Sequence, residues 1–113
     1  MDKQTQLNKL NEYVKKSENS FVNEAFDYIS DNALDYTSLL ECINDVLKDP
    51  NGLLLTDNEY VELYDKFEDE ILNCVDDFNM MFKKLPTIKE YKVTLAKYAI
   101  ECVLINFIDV INE

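Results

Sequence analysis

Apolar residues recur along the chain at steps of three and four, the repeat of a helix with one buried face. Leu7, Leu10 and Val14 mark a first helix over about residues 3–16, with Lys15 and Lys16 at its electronegative end. Ala25, Phe26, Ile29 and Ala33 mark a second, from about Phe21 to Ser30 or a little beyond. Ser20 is its expected N-cap, and Glu24, Asp27 and Asp31 face outward. Leu39, Leu40, Ile43, Val46 and Leu47 mark a third, opened at Thr37 or Ser38 by a Ser38–Glu41 capping box. The turn sequence Asp49-Pro50-Asn51-Gly52 stops it, and Leu53 to Leu55 form a short apolar connector.

The fourth pattern is the longest. Tyr60, Tyr64, Phe67, Ile71, Cys74/Val75, Phe78 and Met81/Met82 predict one amphipathic helix of about six turns. It starts at a Thr56–Glu59 capping box and ends before Pro86. A fifth helix runs from Thr87, boxed with Glu90, to about Asn112. From Tyr98 to Ile111 it is apolar on nearly every face, which predicts a central helix wrapped by the others or a dimerising one.

Composition agrees with this reading. One Gly and two Pro in 113 residues are too few for the turns of a sandwich or barrel. The expectation is all-α: a single-domain bundle of about five helices, residues 1–113, with the apolar C-terminal helix at its centre. A hydrophobic content of 47% supplies a core and excludes a disordered acidic tail. MDKQTQLNKLNEY has no apolar core of a signal peptide, and Tyr98–Ile111 is too short to span a bilayer. Cys42, Cys74 and Cys102 form no CxxC and fall at apolar helix positions. They read as three small buried hydrophobes in a cytoplasmic protein.

Charge changes the picture. Twenty-three Asp and Glu face eleven Lys, with no Arg or His, for a net charge of −12. That exceeds the magnitude of about 2–8 usual for a small domain. Direct contact with nucleic acid or with an anionic membrane is excluded as a main activity; attraction to basic surfaces is favoured. The acids cluster. Asp57, Glu59, Glu62, Asp65, Glu68, Asp69, Glu70, Asp76 and Asp77 lie within one stretch that has Lys66 alone against them. On one straight helix, Glu62, Asp65, Asp69 and Asp76 fall within about 60° of one another, opposite the apolar seam, with Glu68 and Asp77 on the flank. Their density is one charge per about 3.3 Å, against about 3.4 Å per phosphate along a DNA strand. Asp27, Asp31 and Asp35 form a second patch, within a run from Glu18 to Asp49 that holds only Lys48. The lysines gather at Lys83, Lys84, Lys89, Lys92 and Lys97, predicting a positive corner.

Catalytic chemistry is not evident. With no His, the commonest general base and metal ligand is missing, and one Gly permits neither a dinucleotide fingerprint nor a phosphate loop. Centring a calcium loop on Gly52 puts Leu47 first and Asn58 last, where Asp and Glu are needed. Glu59-x-x-Glu62 has no Glu-x-x-Asp partner downstream, since Glu90 is followed by Val93. No catalytic residue, metal or cofactor is assigned.

The segment GLLLTDNEYVELYDKFEDEIL, residues 52–72, resembles a stretch of small uncharacterised phage- and plasmid-encoded proteins. In size, helicity and charge the chain is similar to DNA-mimicking inhibitors of mobile elements, such as Ocr-type anti-restriction proteins and anti-CRISPR proteins. That resemblance implies a cytoplasmic inhibitor whose Asp and Glu rows occupy the nucleic-acid groove of a restriction or CRISPR nuclease. On the helical-face argument alone, the expected contacts are Glu62, Asp65, Glu68, Asp69, Asp76 and Asp77, with Asp27, Asp31 and Asp35 as the second patch. Two alternatives need the same acidic bundle: an immunity protein or antitoxin that neutralises a basic toxin, and an assembly adaptor that forms a homodimer through the last helix.

Overall fold

The computed structural model describes residues 2–48, 55–75 and 87–113. Among these the protein is all-α: six α-helices and one 3-10 turn, with no strand. They are α1 (Lys3–Ser17), α2 (Ser20–Asn32), α3 (Leu39–Lys48), α4 (Asp57–Lys66), α5 (Glu68–Cys74) and α6 (Ile88–Asn112), with the 3-10 turn at Ala33–Asp35. The expected turn at Asp49–Gly52, and the fourth helix beyond Val75, lie outside the described residues.

The chain forms two compact units. The first comprises residues 1–54 and 103–113. Its core is Leu10, Val14, Phe21, Ala25, Ile29, Ala33, Leu39, Cys42 and Ile43, with Phe107 and Ile111 from the end of α6. Phe107 is fully buried and meets Tyr13 and Phe26 edge-on, with ring centres 6.1 and 6.5 Å away.

Helix ends here are closed by side chains. The Asp2 carboxylate accepts from the Thr5 N–H at 2.8 Å, a bond that pulls the Asp2 pKa below its ordinary value. Asn19, not Ser20, caps α2, its Oδ1 accepting from the N–H groups of Phe21 and Val22. Asn and Ser are equally good caps, so the choice fell to the residue that leaves one more residue helical. Ser38 caps α3 by accepting from the Glu41 N–H, while the Glu41 carboxylate accepts from the Thr37 hydroxyl at 2.6 Å.

One buried polar group organises this unit. Gln6 lies four residues before Leu10 on the inner face of α1 and is 4% exposed. Its Oε1 accepts from the Leu39 N–H at 2.8 Å, satisfying an amide at the start of α3. Lys3 Nζ donates to the Ala33 carbonyl at the end of α2. The link from α2 to α3 is thus held from α1 at both its ends.

The second unit comprises residues 55–102. Tyr60, Leu63, Tyr64, Phe67, Ile71 and Val75 of the α4–α5 segment are buried, as are Val93, Leu95, Ala96, Ala99 and Ile100 of α6. The Thr56–Glu59 capping box is complete. The Thr87 hydroxyl accepts from the Glu90 N–H at 3.0 Å, opening α6 where the spacing predicts.

Three expectations need correction. The fourth helix is not one rod: Phe67 takes φ −122°, ψ 34°, and the chain restarts as α5. In a continuous helix Asp65, Glu68 and Asp69 would be like charges three and four residues apart, which is unfavourable. The break instead brings Glu68, Asp69 and Glu70 to the first turn of a new helix, where the dipole favours them. Secondly, Cys42 is buried and Cys102 half-buried, but Cys74 is exposed, because α5 ends there and Val75 takes the inward position. Thirdly, α6 is not covered all round. Its buried band runs through Ala99, Ile100, Val103, Leu104, Phe107 and Ile111, while Ile105 is 51% exposed.

Candidate functional site: the acidic surfaces

The expected contact residues fall in both units. Glu62 and Asp65 are exposed on α4, and Glu68 and Asp69 are exposed in the first turn of α5. Asp76 and Asp77 lie outside the described residues. In the first unit, Asp27 and Asp31 are exposed on α2, and Asp35 is exposed in the 3-10 turn that follows.

In the second unit the acids are largely answered from within. Asp57 and Glu59 occupy the first turn of α4; Glu68, Asp69 and Glu70 occupy that of α5. Asp65 Oδ1 is 2.6 Å from Lys92 Nζ, and Asp57 Oδ1 is 4.0 Å from Lys97 Nζ. Each lysine also lies over a tyrosine of α4: Lys92 is 5.7 Å from the Tyr64 ring centre and Lys97 is 5.4 Å from that of Tyr60. Lys92 and Lys97 therefore do not form a separate positive corner. They reach the face that the sequence leaves to Lys66 alone. Lys83 and Lys84 lie outside the described residues.

Burial marks the same face. Tyr64 meets Tyr91 at 6.1 Å, and its phenol is pushed up to about 12 by burial, with Tyr91 and Glu68 adding to the effect. Tyr60 is raised by burial and then by the charges of Glu101, Asp57 and Glu59.

The first unit contrasts with this. The Lys92–Asp65 and Lys97–Asp57 pairs both lie in the second unit, and among the described residues Asp27, Asp31 and Asp35 take part in no ion pair. Asp31 lies in the last turn of α2, which contains no basic residue. A carboxylate there faces the negative end of the dipole, and Asp27 sits one turn away on the same face. Leu34, 79% exposed, stands between Asp31 and Asp35. Further along, the Tyr36 hydroxyl donates to Asp45 Oδ2 at 2.5 Å, and this bond raises the Tyr36 pKa to about 12.

The thiols offer no activated nucleophile. All three lie outside disulfides, and burial raises the pKa of each, most simply for Cys42 in the core. Among the described residues no three His, Cys, Asp or Glu side chains converge to hold a metal ion. Nor is any helix among them long and apolar enough to cross a membrane. Sequence reasoning missed Gln6, Lys92 and Lys97 as organising residues. Gln6 could have been found from its place on the Leu10–Val14 face; the lysine pairings have no local signal.

Compared with known protein families, curated proteins and solved structures, the chain matches none.

Proposed function

We propose that the protein is a non-enzymatic inhibitor that binds a basic, nucleic-acid-handling protein, such as a restriction or CRISPR nuclease, and occupies its nucleic-acid groove with carboxylates. The observation that carries this reading is the Asp27–Asp31–Asp35 patch: three exposed acids without an ion pair among the described residues, of which Asp31 is set where the helix dipole opposes it. Such a placement costs stability and leaves the carboxylates available to an outside cation. Asp27 and Asp31 are separated by about 6 Å along the helix axis, close to the roughly 6.8 Å rise of two nucleotides. Lysine and arginine side chains that normally grip every second phosphate would meet them with charge-assisted hydrogen bonds. Glu62 and Asp69 are exposed acids of the second unit and offer it a contact of its own.

The test is a tagged capture from a bacterial lysate, eluted with a salt gradient and identified by mass spectrometry. A nuclease or other DNA-binding protein released at moderate salt is the expected result. The captured enzyme should lose DNA binding when the protein is added, and regain it when Asp27, Asp31 and Asp35 are changed to Lys. A captured toxin without nucleic-acid activity would replace this reading with that of an antidote.

A further inference from the structure

The two lysines of α6 show what chemistry the α4 face accepts. At each station a tyrosine ring and a nearby carboxylate hold one ammonium group: Tyr64 and Asp65 hold Lys92, Tyr60 and Asp57 hold Lys97. The stations are unequal. Lys92 is fastened at 2.6 Å, a full hydrogen-bonded ion pair. Lys97 stands 4.0 Å from Asp57, at the limit of pairing, although solvent reaches the two pairs to a similar degree. The Lys97 station also opens on space. Asp57, Lys97, Glu90, Thr87, Val93 and Lys89 line a cavity of about 540 Å³ that is open to solvent.

We infer that the Tyr60–Asp57 station is a cation seat for a basic protein partner, that Lys97 is its built-in occupant, and that an arginine side chain of the partner enters through the groove by displacing Lys97. Arginine fits better than the resident lysine. Its planar guanidinium stacks on a ring face and bonds a carboxylate through two N–H groups at once, which a single ammonium does not do. Tyr60 is buried and does not line the groove, so its ring face opens only as Lys97 leaves it. Glu101 and Glu59, which act on the Tyr60 hydroxyl together with Asp57, add negative potential at the seat. Lys92, held tightly on Tyr64, stays in place and keeps α4 fastened to α6. The inference rests on the proposed function only for the source of the arginine; the seat itself is a property of α4 and α6.

The probe is an octa-arginine peptide, titrated into the full chain at fixed salt and followed by calorimetry. Lys97→Gln is compared with Lys89→Gln, which removes the same charge from the same groove without touching a ring. Lys97→Gln should tighten peptide binding by about five-fold, the scale of one partly exposed cation–ring contact. Lys89→Gln should change it by about two-fold or less, the effect of one screened charge. Equal effects for the two variants would overturn the proposal in favour of net charge alone. No tightening with Lys97→Gln would overturn it too. NMR of the unaltered protein decides independently of any folding defect. The Tyr60 ring and Lys97 side-chain signals should move together as peptide is added, with Lys97 approaching the shifts of a solvated lysine. Peptide binding that leaves both signals still would sink the seat. A lysate capture without a nuclease, alongside a positive peptide titration, removes the proposed function and leaves the seat standing.

Discussion

Asp31 sits in the last turn of α2, and Asp69 sits in the first turn of α5. Both are exposed aspartates in strongly acidic stretches, yet their surroundings are opposite. Asp69 meets the positive end of its helix, in a unit where Lys92 and Lys97 reach across to neighbouring carboxylates. Asp31 meets a negative helix end, with Asp27 four residues away and no ion pair among the described residues. The denser acidic run is therefore the better compensated one. Charge per residue along a sequence ranks these two stretches in one order; charge left over for a partner ranks them in the other.

The largest expected effect follows from that reversal. Asp27→Asn/Asp31→Asn/Asp35→Asn should weaken capture of the basic target by about 100-fold at low salt, since three charge-assisted contacts are lost together. Glu62→Gln/Asp65→Asn/Asp69→Asn removes the same charge and should cost about ten-fold or less, because Asp65 already holds Lys92. Competition binding against labelled DNA measures both. If the second triple variant is the more damaging, the first unit's patch is not the principal contact.

A second contrast concerns how each unit is tied together. In the first, Gln6 is 4% exposed and holds the Leu39 N–H at 2.8 Å. Gln6→Ala leaves that buried amide without a partner and should cost about 1–3 kcal/mol in urea unfolding. In the second, the Lys92–Asp65 pair joins a half-buried lysine to an exposed carboxylate. Asp65→Asn should cost about 1 kcal/mol or less, and nothing measurable in concentrated salt.

The same contrast explains what the sequence made legible. Periodicity located the helices, since the apolar seams of α1, α2, α3 and α6 are unbroken in sequence. The Thr56–Glu59 box and the Thr87 and Ser38 caps could be read because each depends on two residues three apart. The break at Phe67 was not legible. No Pro or Gly marks it, and Phe67 remains buried on the predicted seam. With the break went the straight acidic ridge, and with it the inference that Glu62, Asp65 and Asp69 act as one row. The pairings of Lys92 and Lys97 join residues about thirty to forty apart, so no local rule anticipates them. The Asp27–Asp31 spacing, by contrast, lies on one intact helix.

Alkaline titration separates the units by a different route. Tyr36 and Tyr64 are both held at about 12, against an ordinary value of 10, but for different reasons. The Asp45 hydrogen bond raises Tyr36 in the first unit; burial raises Tyr64 in the second. In each case the folded state keeps a proton that the unfolded chain gives up. The stabilisation is complete below pH 10 and is lost as pH rises from 10 to 12. Absorbance at 295 nm should show two of the seven tyrosines ionising last. Asp45→Ala should return Tyr36 toward 10 and leave Tyr64 unchanged. If both tyrosines move, the two units do not titrate independently.

The smallest effect gives the sharpest test, because local and global electrostatics predict different signs. Asp31→Asn relieves an unfavourable helix end and one repulsion at four-residue spacing with Asp27. It should raise stability by about 0.5 kcal/mol. Asp69→Asn removes a favourable first-turn charge and should lower stability by about the same amount. Each change also reduces the net charge of −12 by one. If self-repulsion of the whole chain dominated, both variants would be stabilised alike. Opposite signs in urea at low salt, converging to zero near 0.5 M salt as screening shortens its range to about 4–5 Å, would show that local placement decides. Equal gains would mean that the two runs differ in sequence position but not in electrostatic character, and the first unit would lose its distinction as the more available surface.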